Sequence, residues 1–137
     1  MALAAERILF SKTLNAGQIC LSPDYIFVKK DEEKNLISEL QKAYSKFFPE
    51  PNSHNQTSMV NKRHLKRMNS YLLDATKKGA TVESLGKNDD LDKNMISTKI
   101  VTEVNDGMDV MKHEIFGPVL PITVSYTHLT LPTKVYV

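Results

Sequence analysis

One thiol carries the first chemical signal in the chain. Cys20 is the single cysteine among 137 residues, set in Asn15-Ala16-Gly17-Gln18-Ile19-Cys20-Leu21-Ser22-Pro23-Asp24-Tyr25. An apolar-periodic stretch runs into it, turn-forming residues surround it, and an extended run over residues 25–28 leaves it. A glycine-containing bend between a helix and a strand can present a nucleophile, and the thiolate is the reactive form. No His, Lys or Arg lies within seven residues of Cys20, so stabilising a thiolate there falls to backbone dipoles. The Cys20 N–H is itself a candidate donor to a developing oxyanion. The bland alternative is that Cys20 is a small buried hydrophobe, the common fate of a free cysteine.

A second stretch with chemical potential lies far downstream, Glu114-Ile115-Phe116-Gly117-Pro118-Val119-Leu120-Pro121-Ile122. Read alone, Glu114 is a solvated acid beside Lys112, and Phe116 is a core residue. Read together, the two stretches resemble the cysteine signature and the cofactor-facing Glu-x-Phe-Gly-Pro motif of the aldehyde dehydrogenase superfamily. Pro23-Asp24-Tyr25 is most similar to the coniferyl-aldehyde and fatty-aldehyde branch. The resemblance covers residues 2–123, nearly the whole chain but only a part of such an enzyme.

That resemblance implies a reaction: a thiolate adds to an aldehyde carbon, hydride passes to NAD or NADP, and water hydrolyses the resulting thioester. It makes Cys20 the catalytic nucleophile. It makes Glu114 and Phe116 the cofactor-binding residues, the carboxylate accepting from ribose hydroxyls and the ring limiting the nicotinamide. A carboxylate suits this role because it accepts from two hydroxyls at once. Gly117 and Pro118 fix the turn that aims both. The family's general-base glutamate and oxyanion asparagine lie upstream of the cysteine and have no match here, so Asn15 is read as a structural residue of the bend. The five glycines form no phosphate-cradling pattern. The expectation is a partial catalytic domain that does not turn over in isolation, from a homo-oligomeric parent with an aldehyde substrate.

Composition sets broader limits. With 41% hydrophobic and 25% charged residues, the chain reads as globular rather than disordered or fibrous. A net charge of +2 is too small to argue for nucleic acid or an anionic membrane as partner. The chain holds no apolar run of membrane-spanning length, Met1-Ala-Leu-Ala-Ala-Glu6 does not read as a secretory leader, and one cysteine forms no internal disulfide. A cytoplasmic setting is expected. His54, His64, His113 and His128 show no metal-ligand spacing, so no metal is expected.

The elements that must position these residues follow from periodicity. Residues 2–14 read as a helix with Ala4, Ile8, Leu9 and Leu14 on the apolar face and Glu6, Arg7 and Lys12 opposite. Residues 25–30 read as a strand, and Asp31 is the candidate N-cap of a helix carrying Leu36, Ile37, Leu40, Tyr44 and Phe47. Residues 52–57 read as a polar loop. Residues 58–78 read as a second amphipathic helix, striped by Leu65, Met68, Leu72 and Ala75 and closed by Gly79. Its basic residues, Lys62, Arg63, His64, Lys66 and Arg67, are taken as a solvated face. Strands are expected near 80–82, 97–104 and 120–124, with a helical turn at 109–113. Strands separated by helices argue for an α/β fold with a mostly parallel sheet and flanking helices.

Residues 124–137 break the pattern. Val124-Ser-Tyr-Thr-His-Leu-Thr-Leu-Pro-Thr133 matches one reading frame of a transposase-type sequencing adapter, so the expectation is a division into residues 1–123 and a non-native tail at 124–137, the alternative being a natural C-terminus. Tyr126 and His128 are accordingly left out of any site. Two further readings stay open: a non-catalytic fragment or interaction module that self-associates through broken edges, and a thiol enzyme unrelated to dehydrogenases.

Overall fold

The computed structural model describes residues 1–49, 56–87 and 89–125. Most of the expected 52–57 loop and the tail from Tyr126 onward lie outside the described residues. The elements run α1 (Ala2–Thr13), β1 (Ile26–Lys29), α2 (Glu33–Phe47), α3 (Lys62–Lys77), β2 (Thr81–Ser84), β3 (Lys99–Thr102), α4 (Asp109–Lys112) and β4 (Val119–Ser125). They build one four-stranded sheet in the order β1-β4-β3-β2. β4 pairs in parallel with both β1 and β3, and only β2 runs antiparallel to its neighbour. The sheet is therefore mostly parallel, as the alternation of helices and strands requires.

Side-chain alternation along β3 and β4 divides the core in two. Ile100, Leu120 and Ile122 point to one face and pack with Ala5 and Leu9 of α1 and Leu36, Leu40 and Tyr44 of α2. Val101 and Val119 point to the other, against Leu65, Met68, Tyr71 and Ala75 of α3 and Val110 of α4. The sheet is thus a middle layer with helices on both sides, which is why Ile100 and Val101 of β3 and Val119, Leu120 and Ile122 of β4 are apolar on both faces. Full burial of each such aliphatic side chain is worth roughly 1.5–3 kcal/mol.

The parallel pairing also decides where the loops meet. Two adjacent parallel strands begin at the same rim of a sheet, so the segments leading into β1 and β4 must gather there. Ile26 is paired with Ile122, and Cys20 and Phe116 each lie six residues ahead of that rung.

Several local expectations shift. α2 begins at Glu33 after a 3-10 turn over Lys30–Glu32 and has no side-chain cap, so Asp31 is not the N-cap. α3 begins at Lys62 because Asn61 Oδ1 accepts from the His64 N–H at 3.0 Å, which starts the helix four residues later than the apolar spacing alone suggests. β4 runs through Ser125, with Val124 and Ser125 paired to Val28 and Lys29. The largest correction is in α1. Ala4 and Leu14 are exposed, whereas Lys12, assigned to the polar face, is 0% exposed. Its Nζ donates to the Pro23 carbonyl at 2.8 Å. Helical periodicity sorts residues by type and cannot see that a buried carbonyl waits for an ammonium.

Burial lowers the Lys12 pKa from 10.5 to about 8, against the pull of the Asp24 carboxylate. Burial raises that of Tyr44 from 10.0 to about 12. The native state releases the Lys12 proton near pH 8, while the unfolded chain keeps it until 10.5. Stability should therefore rise with pH across that window, by roughly 3 kcal/mol. Tyr44 acts the other way: its contribution is complete below pH 10 and lost as pH climbs through about 12. Urea melts of the chain at stepped pH should show an optimum near pH 10. Lys12→Met should flatten the rising limb and Tyr44→Phe the falling one.

Candidate functional site

The first loop departs from regular helix immediately after α1. Asn15, Ala16 and Gly17 adopt positive φ in succession, 49°, 54° and 71°. Glycine takes this region freely; Asn tolerates it, and a buried Ala does so only where the surroundings enforce it. The enforcement is visible. Asn15 Nδ2 donates to the Gln18 carbonyl at 3.3 Å, and Gln18 Nε2 returns to the Asn15 carbonyl at 2.9 Å. Gln18 also spans to the segment before α3, donating to the Ser58 carbonyl at 3.2 Å and accepting from the Val60 N–H at 2.9 Å. Asn15 therefore has the structural role read from the sequence. Gln18 ties the bend to the segment ahead of α3.

Cys20 sits past this bend and is exposed, which removes the reading of it as a buried hydrophobe. Glu114 is exposed on the loop between α4 and β4, and no described residue pairs with its carboxylate. Phe116 is half-buried rather than in the core, and its φ is 47°. A bulky residue in the left-handed region is strained, and such strain persists only where neighbours over-determine it.

The two loops touch through their glycines. A Cβ on Gly17 would stand 2.5 Å from the Gly117 carbonyl oxygen, and a Cβ on Gly117 would collide with Met68 of α3. Gly117 is thus wedged between the cysteine bend and α3, and neither glycine has room for a side chain. A polar tie accompanies the contact: Asp24 Oδ1 accepts from the Ile115 N–H at 3.0 Å across 91 positions of sequence. Arg67 holds the other side of the second loop, donating to the carbonyls of Glu114 at 3.0 Å, Ile115 at 2.7 Å and Phe116 at 3.4 Å. The pattern of α3 puts Arg67 on a solvated face; instead its guanidinium is folded over this loop. Asp24 and Arg67 are the residues that sequence reasoning missed. Asp24 lies inside the Pro-Asp-Tyr stretch, so its neighbourhood was marked; Arg67 sits among five other basic residues of its helix stretch and nothing in its spacing singles it out.

This arrangement sets an accessible thiol, a free carboxylate and a partly covered aromatic ring on two loops braced at one rim of the sheet. Among the described residues, no three His, Cys, Asp or Glu side chains stand together as a metal site. No described helix is long and apolar enough to cross a membrane.

Comparison with known proteins is consistent in every direction. The profile of the aldehyde dehydrogenase family matches residues 1–128. The coniferyl aldehyde dehydrogenase of Pseudomonas sp. (strain HR199) is 37% identical over 130 residues, covering 89% of this chain and 26% of that protein. The substrate-bound structure of Staphylococcus aureus AldH superposes with a TM-score of 0.82 at 33% identity, covering 91% of this chain and 27% of that one. The betaine aldehyde dehydrogenase of Staphylococcus aureus, solved with NAD+, shares the fold at a TM-score of 0.74 and 22% identity, covering 91% of this chain and 26% of its own. The chain spans about a quarter of the length of the curated relatives it matches.

The glycine contact makes a clear prediction. Gly17→Ala adds both a left-handed Cβ and a collision with Gly117, and should cost the chain more than about 2 kcal/mol in a urea melt. Gly79→Ala, at φ 97° with nothing within 4 Å, carries the backbone strain alone. It should cost about 1 kcal/mol. Equal losses at the two positions would mean that the loops do not press together.

Proposed function

The chain belongs to the aldehyde dehydrogenase family, and we propose that it is the part of an NAD(P)-dependent dehydrogenase that carries the nucleophile and the nicotinamide-side contacts. The observation that carries this reading is the bracing of the cysteine bend against the Glu114 loop, through Gly17 on Gly117 and Asp24 on Ile115. Parallel pairing of β1 and β4 brings the two segments to one rim, and the glycine contact and the Asp24–Ile115 bond fix them against each other there, with Cys20 and Glu114 exposed.

In this reading Cys20, as thiolate, adds to the aldehyde carbon and forms a thiohemiacetal. The Cys20 N–H stabilises the oxyanion that develops as the carbonyl opens. NAD or NADP, when bound, supplies the hydride acceptor that turns this adduct into a thioester. Water then releases the acid and returns the thiolate. The residues present fit the cofactor: the Glu114 carboxylate is exposed and unpaired among the described residues, with both oxygens open to ribose hydroxyls. Phe116, half-buried and held in one backbone conformation, offers a fixed apolar surface to a nicotinamide ring. The branch resemblance and the named Pseudomonas relative favour an aromatic aldehyde of the coniferyl type.

The test is turnover by the complete enzyme carrying this segment. It should reduce NAD+ or NADP when given coniferyl aldehyde, and Cys20→Ser should lower kcat by ~10³-fold or more. A wild-type enzyme that forms no reduced nicotinamide with aldehydes, or a Ser variant that keeps its rate, would overturn the proposal. The 137-residue chain alone should not turn over, since the base and the upstream oxyanion donor of the family find no match in it.

A second reading concerns the chain in isolation. Among the described residues β1 is an edge strand, and Phe27, 51% exposed, stacks edge-on with the exposed Tyr25 at a centroid distance of 5.3 Å. Leu21, in the loop ahead of β1, is 90% exposed. An apolar free edge templates further strand pairing, so the isolated chain should self-associate at micromolar concentration. Phe27→Lys should shift it toward monomer on a sizing column.

A further inference from the structure

We propose that Arg67 is a positioning residue for the cofactor-facing loop, acting through the backbone of Glu114-Ile115-Phe116 and not by touching substrate. This rests on the function proposed above, since it assigns Arg67 a part in the same site.

One guanidinium engages three consecutive carbonyls, with Nη1 on Glu114 and Nη2 on Ile115 and Phe116. Consecutive carbonyls in an extended segment point in alternating directions, so a single donor group reaches all three only if the segment is curled around it. The left-handed φ of 47° at Phe116 supplies that curl. The strain of a non-glycine residue there needs a counterweight, and charge-assisted bonds to its own carbonyl and the two before it provide one. From the opposite side Asp24 takes the Ile115 N–H. The peptide bearing Glu114 and Phe116 is therefore gripped at one N–H and three carbonyls, and the two side chains are left free.

Arg67 is itself held. Its Nη1 also donates to the Tyr71 hydroxyl at 3.3 Å one helical turn on, and the guanidinium carbon stands 5.4 Å from the centre of that ring. A planar fork stacked on an aromatic ring is pre-oriented, which a flexible ammonium is not. Lysine at this position keeps the charge and loses the fork. A general need for positive charge and a specific need for the three-carbonyl grip are therefore separable by Arg67→Lys.

Two measurements test the inference. The first is amide hydrogen exchange of the 137-residue chain, read on the peptide spanning residues 113–118. Arg67→Lys should speed exchange there about tenfold, with α2 and β3 peptides unchanged. The second is steady-state kinetics of the complete enzyme carrying this segment, with NAD+ and coniferyl aldehyde. Arg67→Lys should raise KM for NAD+ about tenfold while KM for the aldehyde stays within about twofold. Lys66→Gln, a charge change on the same helix that leaves the loop carbonyls alone, should leave both values as they are. Arg67→Ala should lose more than the Lys variant and recover part of its NAD+ affinity on addition of millimolar guanidinium. Unchanged exchange at 113–118 overturns the grip itself. Faster exchange with equal losses for NAD+ and aldehyde reduces Arg67 to a general stabiliser and overturns the positioning role. A wild-type enzyme without NAD(P)-dependent turnover overturns the functional premise and this inference with it, and the exchange data tell that failure apart from a failure of the grip.

Discussion

Everything at the candidate site depends on two backbones coming closer than side chains permit. Gly17 approaches the Gly117 carbonyl so nearly that a methyl group on Gly17 has nowhere to go, and Met68 leaves no room for a methyl on Gly117. This contact is what turns two loops from distant parts of the chain into one surface. Hydrophobic burial brings the layers together, because β4 is covered by α1 and α2 on one face and α3 on the other. Burial is non-directional, however, and would not by itself fix how two surface loops sit. The glycine approach and the Asp24–Ile115 bond supply that direction. In this chain, packing decides which rim is used, and a few polar and steric constraints decide the geometry at that rim.

What the sequence shows well is what local repetition can encode. The helices over 33–47 and 62–77 and the strands at 99–102 and 119–125 were all visible in apolar spacing, because burial on one face selects residue type at a regular interval. The alternation of elements sufficed for a mostly parallel α/β sheet. The signature around Cys20 and the Glu114 stretch identified the loops that meet. The rest was hidden for particular reasons. Lys12 looks like a solvated residue in any periodic reading, and only the fold reveals the Pro23 carbonyl that it serves. Arg67 is camouflaged among basic neighbours whose own side chains are exposed or nearly so. Tyr71 was passed over because aromatic residues with a hydroxyl sit on either side of the polar divide.

The conformations of Ala16 and Phe116 were also beyond reach. Neither residue type favours a left-handed backbone, so no propensity announces it. Such geometry is imposed from outside, by Gln18 bonding on both sides of the first bend and by Arg67 and Asp24 on the second. Both residues contradict their local preference in the loops that also carry the exposed Cys20 and Glu114.

The shared rung between Ile26 and Ile122 has a consequence for how this segment can vary in length. Cys20 and Phe116 stand equally far ahead of that rung in sequence, and the loops that carry them are tied by the Asp24–Ile115 bond and the Gly17–Gly117 approach. A residue inserted between Gly17 and Asp24, or between Ile115 and Gly117, would fall between two fixed ties and should strain the contact that holds the loops together. Changes of length should be easier to accommodate in a surface loop such as the one after β2, while these two stretches behave as a vernier whose scales cannot be moved separately.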